Sequence, residues 1–205
     1  MPHRKSLRRR HEPGHLHELT FSTYRQIPLL TNDCWRTYFC EALTAALPNA
    51  RCGLIAWVLM PEHVHLLVLP GWNDDAAGSG DDDVPRRLSR LLAATKRPTS
   101  VRVKADLKSS PAGGRLLARL TVRERPGKTA FRFWQEGAGY DRNLLTPSAV
   151  AAAIDYIHAN PVRRGLVERS TDWLWSSARQ FAGDGNLADA RHPPLTRLPP
   201  EFWSE

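Results

Sequence analysis

The sequence predicts an α+β fold: a ferredoxin-like antiparallel sheet with helices on one face. Apolar residues alternate at period two in several short segments. Two of these segments are joined by only Met60-Pro-Glu, which points to an antiparallel hairpin. Segments with apolar residues at helical spacing intervene, so the order reads β, α, β, β, α, β, α, close to the split βαβ pattern.

The first strand is His17 to Tyr24, with Leu19, Phe21 and Thr23 alternating against polar neighbours. Thr31-Asn-Asp starts a helix carrying Trp35, Tyr38, Phe39, Leu43 and Leu47, and Pro48-Asn49 ends it. Cys52 to Leu59 is apolar enough for a buried strand, and His63 to Leu69 is its hairpin partner, closed by Pro70-Gly71. Asn73 to Asp83 is an acidic Gly/Ser/Asp loop. Pro85 to Lys104 follows as a basic amphipathic helix with Leu88, Leu91, Leu92 and Thr95 as its apolar stripe. Ser109 to Gly114 is a linker, and Arg115 to Arg125 fits a strand or a short helix. Thr129 to Trp134 alternates as a strand. Pro147 lies in the first turn of a helix with Val150, Ile154 and Ile157 on one face, stopped by Asn160-Pro161. The expected organisation is a basic arm over residues 1–16, a catalytic unit over 17–181 and a Pro-rich tail over 182–205.

Composition narrows the class before it names a function. The 205 residues contain 29 Lys and Arg against 21 Asp and Glu, a net charge of +8, with 41% hydrophobic residues. This excludes a coiled coil, a disulfide scaffold and a wholly disordered chain. A basic balance fits a polyanionic partner, nucleic acid above all, or merely a basic enzyme. Three cysteines without a CxxC pair fit a reducing cytoplasm, with Cys34 and Cys40 as ordinary core thiols. No apolar run reaches the roughly 18–20 residues of a membrane span. The basic N-terminus has no apolar stretch behind it and is not a signal peptide.

His63-Val64-His65 is the most informative local feature. Residues i and i+2 of a strand face the same side, so both imidazoles project together while Val64, Leu66 and Val68 face the other way. Two neutral imidazoles so placed can start a divalent-metal site; the plainer alternative is two half-exposed histidines on a sheet. The setting favours the metal. Polar rings inside AWVLMPEHVHLLVLP cost about 1–3 kcal/mol each unless they find partners. His15-Leu16-His17 is a second His-x-His, but it follows Pro13-Gly14 at the edge of the basic arm and reads as surface or edge residues.

Tyr140 follows a Gly-Ala-Gly turn and precedes Asp-Arg-Asn at an expected helix entrance. Three blocks together carry a family resemblance: Met60-Pro-Glu-His-Val-His-Leu-Leu-Val68; Phe133-Trp-Gln with Gly-Tyr-Asp-Arg142; and Tyr156-Ile-His-Ala-Asn-Pro-Val-Arg-Arg-Gly-Leu-Val167 followed by Asp172-Trp-Leu-Trp-Ser-Ser177. In this order the chain resembles the REP-associated tyrosine transposases of the single-tyrosine HUH superfamily. The resemblance spans residues 17 to 181. It implies a ferredoxin-like nuclease that cuts single-stranded DNA at hairpin-forming repeats and transfers the strand. It further implies a divalent metal, Mg²⁺ or Mn²⁺, held by His63 and His65, and a tyrosine that forms a 5′-phosphotyrosine intermediate. By position Tyr140 matches that nucleophile. The third ligand falls to Asn143 or Asp141, Asn143 being preferred because a helix would bring it to the face of Tyr140. His158 reads as a packing residue near the site.

Arg86, Arg87, Arg90, Lys96 and Arg97 on the basic helix, with Arg163 and Arg164 as a smaller patch, are the expected DNA-binding residues, alongside the N-terminal arm. Taken singly, the arm and the basic helix read equally well as solvated faces; two such runs beside a candidate nuclease site favour DNA. Trp173 and Trp175 fit core packing better than base stacking. The implied partner is single-stranded or hairpin DNA, without a membrane, and the implied state is a monomer or homodimer. Two other readings stay open: a catalytically inactive domesticated descendant that only binds hairpins, and a metal-dependent hydrolase in which the tyrosine has no role.

Overall fold

The protein is described by a computed structural model over residues 14–72, 83–137, 139–183 and 191–204. Most of the basic arm and of the acidic loop lies outside these residues. The described elements run β1 (Leu16–Ser22), α1 (Asp33–Asn49), β2 (Cys52–Leu59), β3 (His63–Pro70), α2 (Val84–Ser109), α3 (Gly114–Leu120), β4 (Thr121–Arg125), β5 (Lys128–Phe131), β6 (Tyr140–Leu144), α4 (Pro147–Arg163) and α5 (Ala178–Phe181).

Four strands form one antiparallel sheet in the order β2-β3-β1-β6, as the α+β reading predicts. The fourth strand is β6, where the sequence suggested a helix entrance. The segment read as strand from Thr129 to Trp134 instead pairs with β4 in a separate two-stranded hairpin. Gly139 makes β6 possible. Its φ is +82°, and a Cβ there would stand 2.1 Å from Thr20 O on β1. Only glycine tolerates both the dihedral and the approach.

The pleat sorts side chains onto two faces. Leu19, Phe21, Trp57, Leu59, Val64, Leu66 and Val68 pack with α1 and α2 in one core. Leu16, Ala56, Val58, Leu67 and Leu144 pack with Val150, Ala153, Ile154 and Ile157 of α4 in a second. The expected single helical face therefore holds for α1 and α2, while α4 covers the opposite face. The helix starts follow local chemistry. Asn32 and Thr146 accept from the backbone N–H of Trp35 and Ala149, and Asp83 accepts from Arg86.

The outer edge of β2 is covered. Leu59 N–H donates to Trp175 O at 2.9 Å, Ser177 N–H to Trp57 O at 3.0 Å and Thr196 N–H to Leu54 O at 2.7 Å. Residues 191–204 thus lie along the sheet, with His192 buried against the rings of Trp57 and Trp175. Trp173 and Trp175 are packing residues. Their ring nitrogens donate to Leu59 O and Asp33 Oδ1, and the Arg36 guanidinium lies 5.0 and 5.6 Å from the two rings. Cys40 and Cys52 are buried thiols; Cys34, expected in the core, is exposed.

Candidate active site

His63 and His65 project from β3 onto the α4 face, with ring centroids 4.9 Å apart. Their shared direction follows from the strand period, as the sequence reading required. Each has its Nδ1 engaged. His65 Nδ1 stands 2.8 Å from Thr20 Oγ1, and Glu18 Oε1 lies 4.0 Å from it. His63 Nδ1 lies 3.1 Å from Glu62 Oε1, which also takes Arg164 Nη1 at 2.9 Å. A proton held on Nδ1 leaves Nε2 with its lone pair, and His65 Nε2 is buried without a hydrogen-bond partner. Burial, helped by the neighbouring His63, lowers the His65 pKa to about 4. Burial also lowers that of His63, outweighing the upward pull of Glu62. Both rings are therefore neutral at pH 7, the form that ligates metal. Glu18 is a buried carboxyl raised by desolvation, with Arg142 opposing the rise from 3.8 Å.

The aromatic ring against this pair belongs to Tyr156 of α4. It meets His65 edge-on at 5.6 Å between centroids, and the Arg163 guanidinium lies 5.0 Å from its centroid. Tyr156 is 40% exposed, so its ring is reachable from solvent. Tyr156, Asn160 and Arg164 recur every four residues and share one helix stripe. Tyr156 meets His65 and Arg164 meets Glu62, so α4 runs antiparallel to β3, and the buried Asn160 lies between these two contacts along the helix. Asn160 Nδ2 donates to Tyr156 O at 2.8 Å.

Tyr140 is placed differently from expectation. It opens β6, not a helix, and is 54% exposed. Thr20 pairs with His65 on one side and Tyr140 on the other, so the three share a face. Two strand spacings, ~10 Å, still separate the Tyr140 and His65 backbones. Asn143 is corrected. In a strand, residues three apart face opposite sides, so Asn143 lies on the far face from Tyr140 and the histidine pair. Its Nδ2 lies 3.1 Å from His15 Nδ1. Asp141, the other candidate, shares that far face, 2.8 Å from Nδ1 of His17. His17, read as an edge residue, is fully buried there. Among the described residues no cluster of three or more His, Cys, Asp or Glu side chains is arranged to hold a metal.

The basic residues divide by face. Arg163 and Arg164 border the histidine pair. Arg86, Arg90 and Arg97 are exposed on α2, across the sheet from it, and Arg87 is buried. Lys96 is also no open phosphate contact: its ammonium sits 4.8 Å over the Phe21 ring and donates to Gly137 O, and burial lowers its pKa. His158 packs as anticipated, on the Phe181 ring and 2.8 Å from Ser177 Oγ.

No family profile matches the chain, and no curated protein matches it. Solved structures do. A candidate transposase from Deinococcus radiodurans R1 is 16% identical over 76% of this chain and 94% of its own, at a TM-score of 0.41, too loose a likeness to bear on the fold. A REP-associated tyrosine transposase bound to a REP hairpin is 21% identical over 95% of each chain, at a TM-score of 0.58. With the sheet order and both helical layers in place, the chain has the fold of that REP-associated tyrosine transposase.

Proposed function

We propose that the protein is a transposase-like endonuclease and strand transferase acting on single-stranded DNA beside a hairpin, with Tyr156 rather than Tyr140 as nucleophile. The observation that carries this reading is the Tyr156 ring against His65, whose buried Nε2 lacks a hydrogen-bond partner. The solved transposase of the same fold is bound to a REP hairpin, which supports a hairpin as the partner here as well.

The residues fit a divalent metal: two neutral imidazoles with free Nε2 positions, and the Asn160 amide oxygen as the third donor from the chain. A bound Mg²⁺ or Mn²⁺ supplies Lewis-acid polarisation of a phosphate oxygen. The chain does the rest. Thr20 and Glu62 hold the Nδ1 protons and so fix both rings. Arg163 offsets the charge of a phosphate brought to the phenol. Tyr156 Oη attacks phosphorus, forms the O–P bond and breaks the bond to the 3′ oxygen, which leaves as a hydroxyl after gaining the proton that the phenol gives up. The 5′-phosphotyrosine link keeps the phosphodiester energy, so rejoining needs no ATP.

The test is incubation of the full chain with Mn²⁺ and a labelled DNA hairpin carrying an unpaired flank, followed by denaturing electrophoresis. A covalent adduct is expected with the wild type and with Tyr140→Phe, and none with Tyr156→Phe. An adduct that disappears only in Tyr140→Phe returns the nucleophile to β6. Hairpin binding without an adduct would make the protein a domesticated binder.

A further inference from the structure

A second cleft, of about 820 Å³, opens beside the end of β1. It lies between the turn at Tyr24–Gln26, α3 and β4, and Arg25, Arg119, Arg123 and Arg132 line it with Tyr24 and Gln135. None of its residues belongs to the histidine–tyrosine site.

Its chemistry selects a polyanion with flat rings. Four arginines face two glutamates in the lining, Glu124 and Glu136, a net charge of +2. Arg132 pairs with both glutamates, and Lys128 also meets Glu124. The acids are thus already matched within the wall. Arg119 and Arg123 are exposed at the rim, where phosphates can reach them. The Arg25 guanidinium lies 5.1 Å over the Tyr24 ring, a stacked pair that a nucleobase can extend.

The backbone is built to present that pair. Arg25 and Gln26 both have positive φ, 53° and 54°, a conformation that two successive non-glycine residues rarely adopt. Three contacts enforce it: Tyr24 N–H to Phe133 O at 2.8 Å, Gln26 N–H to Thr23 O at 3.1 Å and Arg25 N–H to Gln135 Oε1 at 3.1 Å. Strain held this firmly is a mark of functional turns. The cleft walls pack on the α1–α2 side of the sheet, but the cleft starts at the end of β1 that carries the candidate active site, so a DNA strand reaches it around that end of the sheet. Ser22 pairs with His63, and Thr23 donates from both N–H and Oγ1 to Glu62 O. Tyr24 is two residues beyond Ser22, ~7 Å along the strand.

We infer that this cleft binds the unpaired DNA strand next to the cleaved phosphate, a base stacking on the Tyr24–Arg25 pair and Arg119 and Arg123 holding its phosphates. The inference rests on the proposed action on single-stranded DNA and deepens it by placing the strand's path. It also assigns the β4–β5 hairpin and α3 a function as the wall of that path.

The experiment is fluorescence anisotropy of the full chain with two probes, a labelled DNA hairpin with an unpaired oligothymidine flank and the same hairpin without it. The variant is Arg119→Gln/Arg123→Gln, whose side chains lie on the exposed rim. Its affinity for the flanked hairpin should fall about tenfold, and the slope of log affinity against log salt should flatten by about 0.7 per arginine. Affinity for the bare hairpin and Mn²⁺ binding followed by electron paramagnetic resonance should stay unchanged. Unchanged binding of the flanked probe, or an equal loss on both probes, overturns the assignment while leaving the active-site reading intact. A wild-type protein that binds neither probe overturns both.

Discussion

Tyr156 and Asn160 lie inside a block whose letters, Tyr-Ile-His-Ala-Asn-Pro, already stood out in the chain. What the letters lacked was a face. The apolar stripe of Val150, Ile154 and Ile157 shows which side of the helix is buried, but not that the adjoining polar stripe of Tyr156, Asn160 and Arg164 meets β3. That stripe, read at four-residue spacing, was the signal available. The histidine pair was legible because a strand's period fixes direction without reference to any partner. The histidines also give a testable pH dependence. Burial lowers His65 and His158 from 6.5 to about 4, so each contributes stability that is whole above pH 6.5 and is lost as pH falls toward 4. Urea unfolding of the metal-free protein should show a loss on the order of 2–3 kcal/mol per histidine across that window. His158→Gln, which leaves His63 and His65 intact, should remove part of the slope. An identical slope in that variant would mean that His158 is not held neutral by its surroundings.

At the scale of elements, β6 is where sequence and structure part. Residues 140–144 have no period-two apolar pattern, and Pro147 just beyond invites a helix to be drawn backwards through them. The strand forms because the free edge of β1 needs a partner for its N–H and C=O groups, a need no local propensity expresses. Gly139 is its entry point. Gly139→Ala should destabilise the protein by about 2 kcal/mol or more, since the new methyl would have to displace the Thr20 carbonyl from a dihedral already costly for alanine. Chemical denaturation measures this, and a midpoint equal to wild type would show that the β1–β6 junction yields without cost. The basic helix was legible as an element, but its expected task was not. The sheet lies between α2 and the histidines, so Arg86, Arg90 and Arg97 face away from the histidine pair, and of the residues expected to bind DNA only Arg163 and Arg164 border it.

For the whole molecule, the C-terminal residues matter more than their composition suggests. A Pro-rich stretch buries little by itself, yet Thr196 and the segment around Trp175 satisfy the edge of β2. Exposed sheet edges promote association, and covering them is a recurrent remedy. Deleting residues 191–205 should lower the thermal midpoint by about 5 °C and increase self-association relative to the full chain. Differential scanning fluorimetry and analytical ultracentrifugation would read both, and a truncated chain matching the full one in each would deny the tail this role. No described helix is long and apolar enough to cross a membrane.

By itself the sequence determined the α+β class, the β2–β3 hairpin and the shared direction of His63 and His65, because alternation and helical periodicity are local consequences of backbone geometry. Only the tertiary structure decided which tyrosine meets the histidines, that Asn143 faces away from them, and that α4 closes the second face. Those outcomes depend on how elements distant in the chain pack to bury both faces of one sheet. No local pattern carries that information.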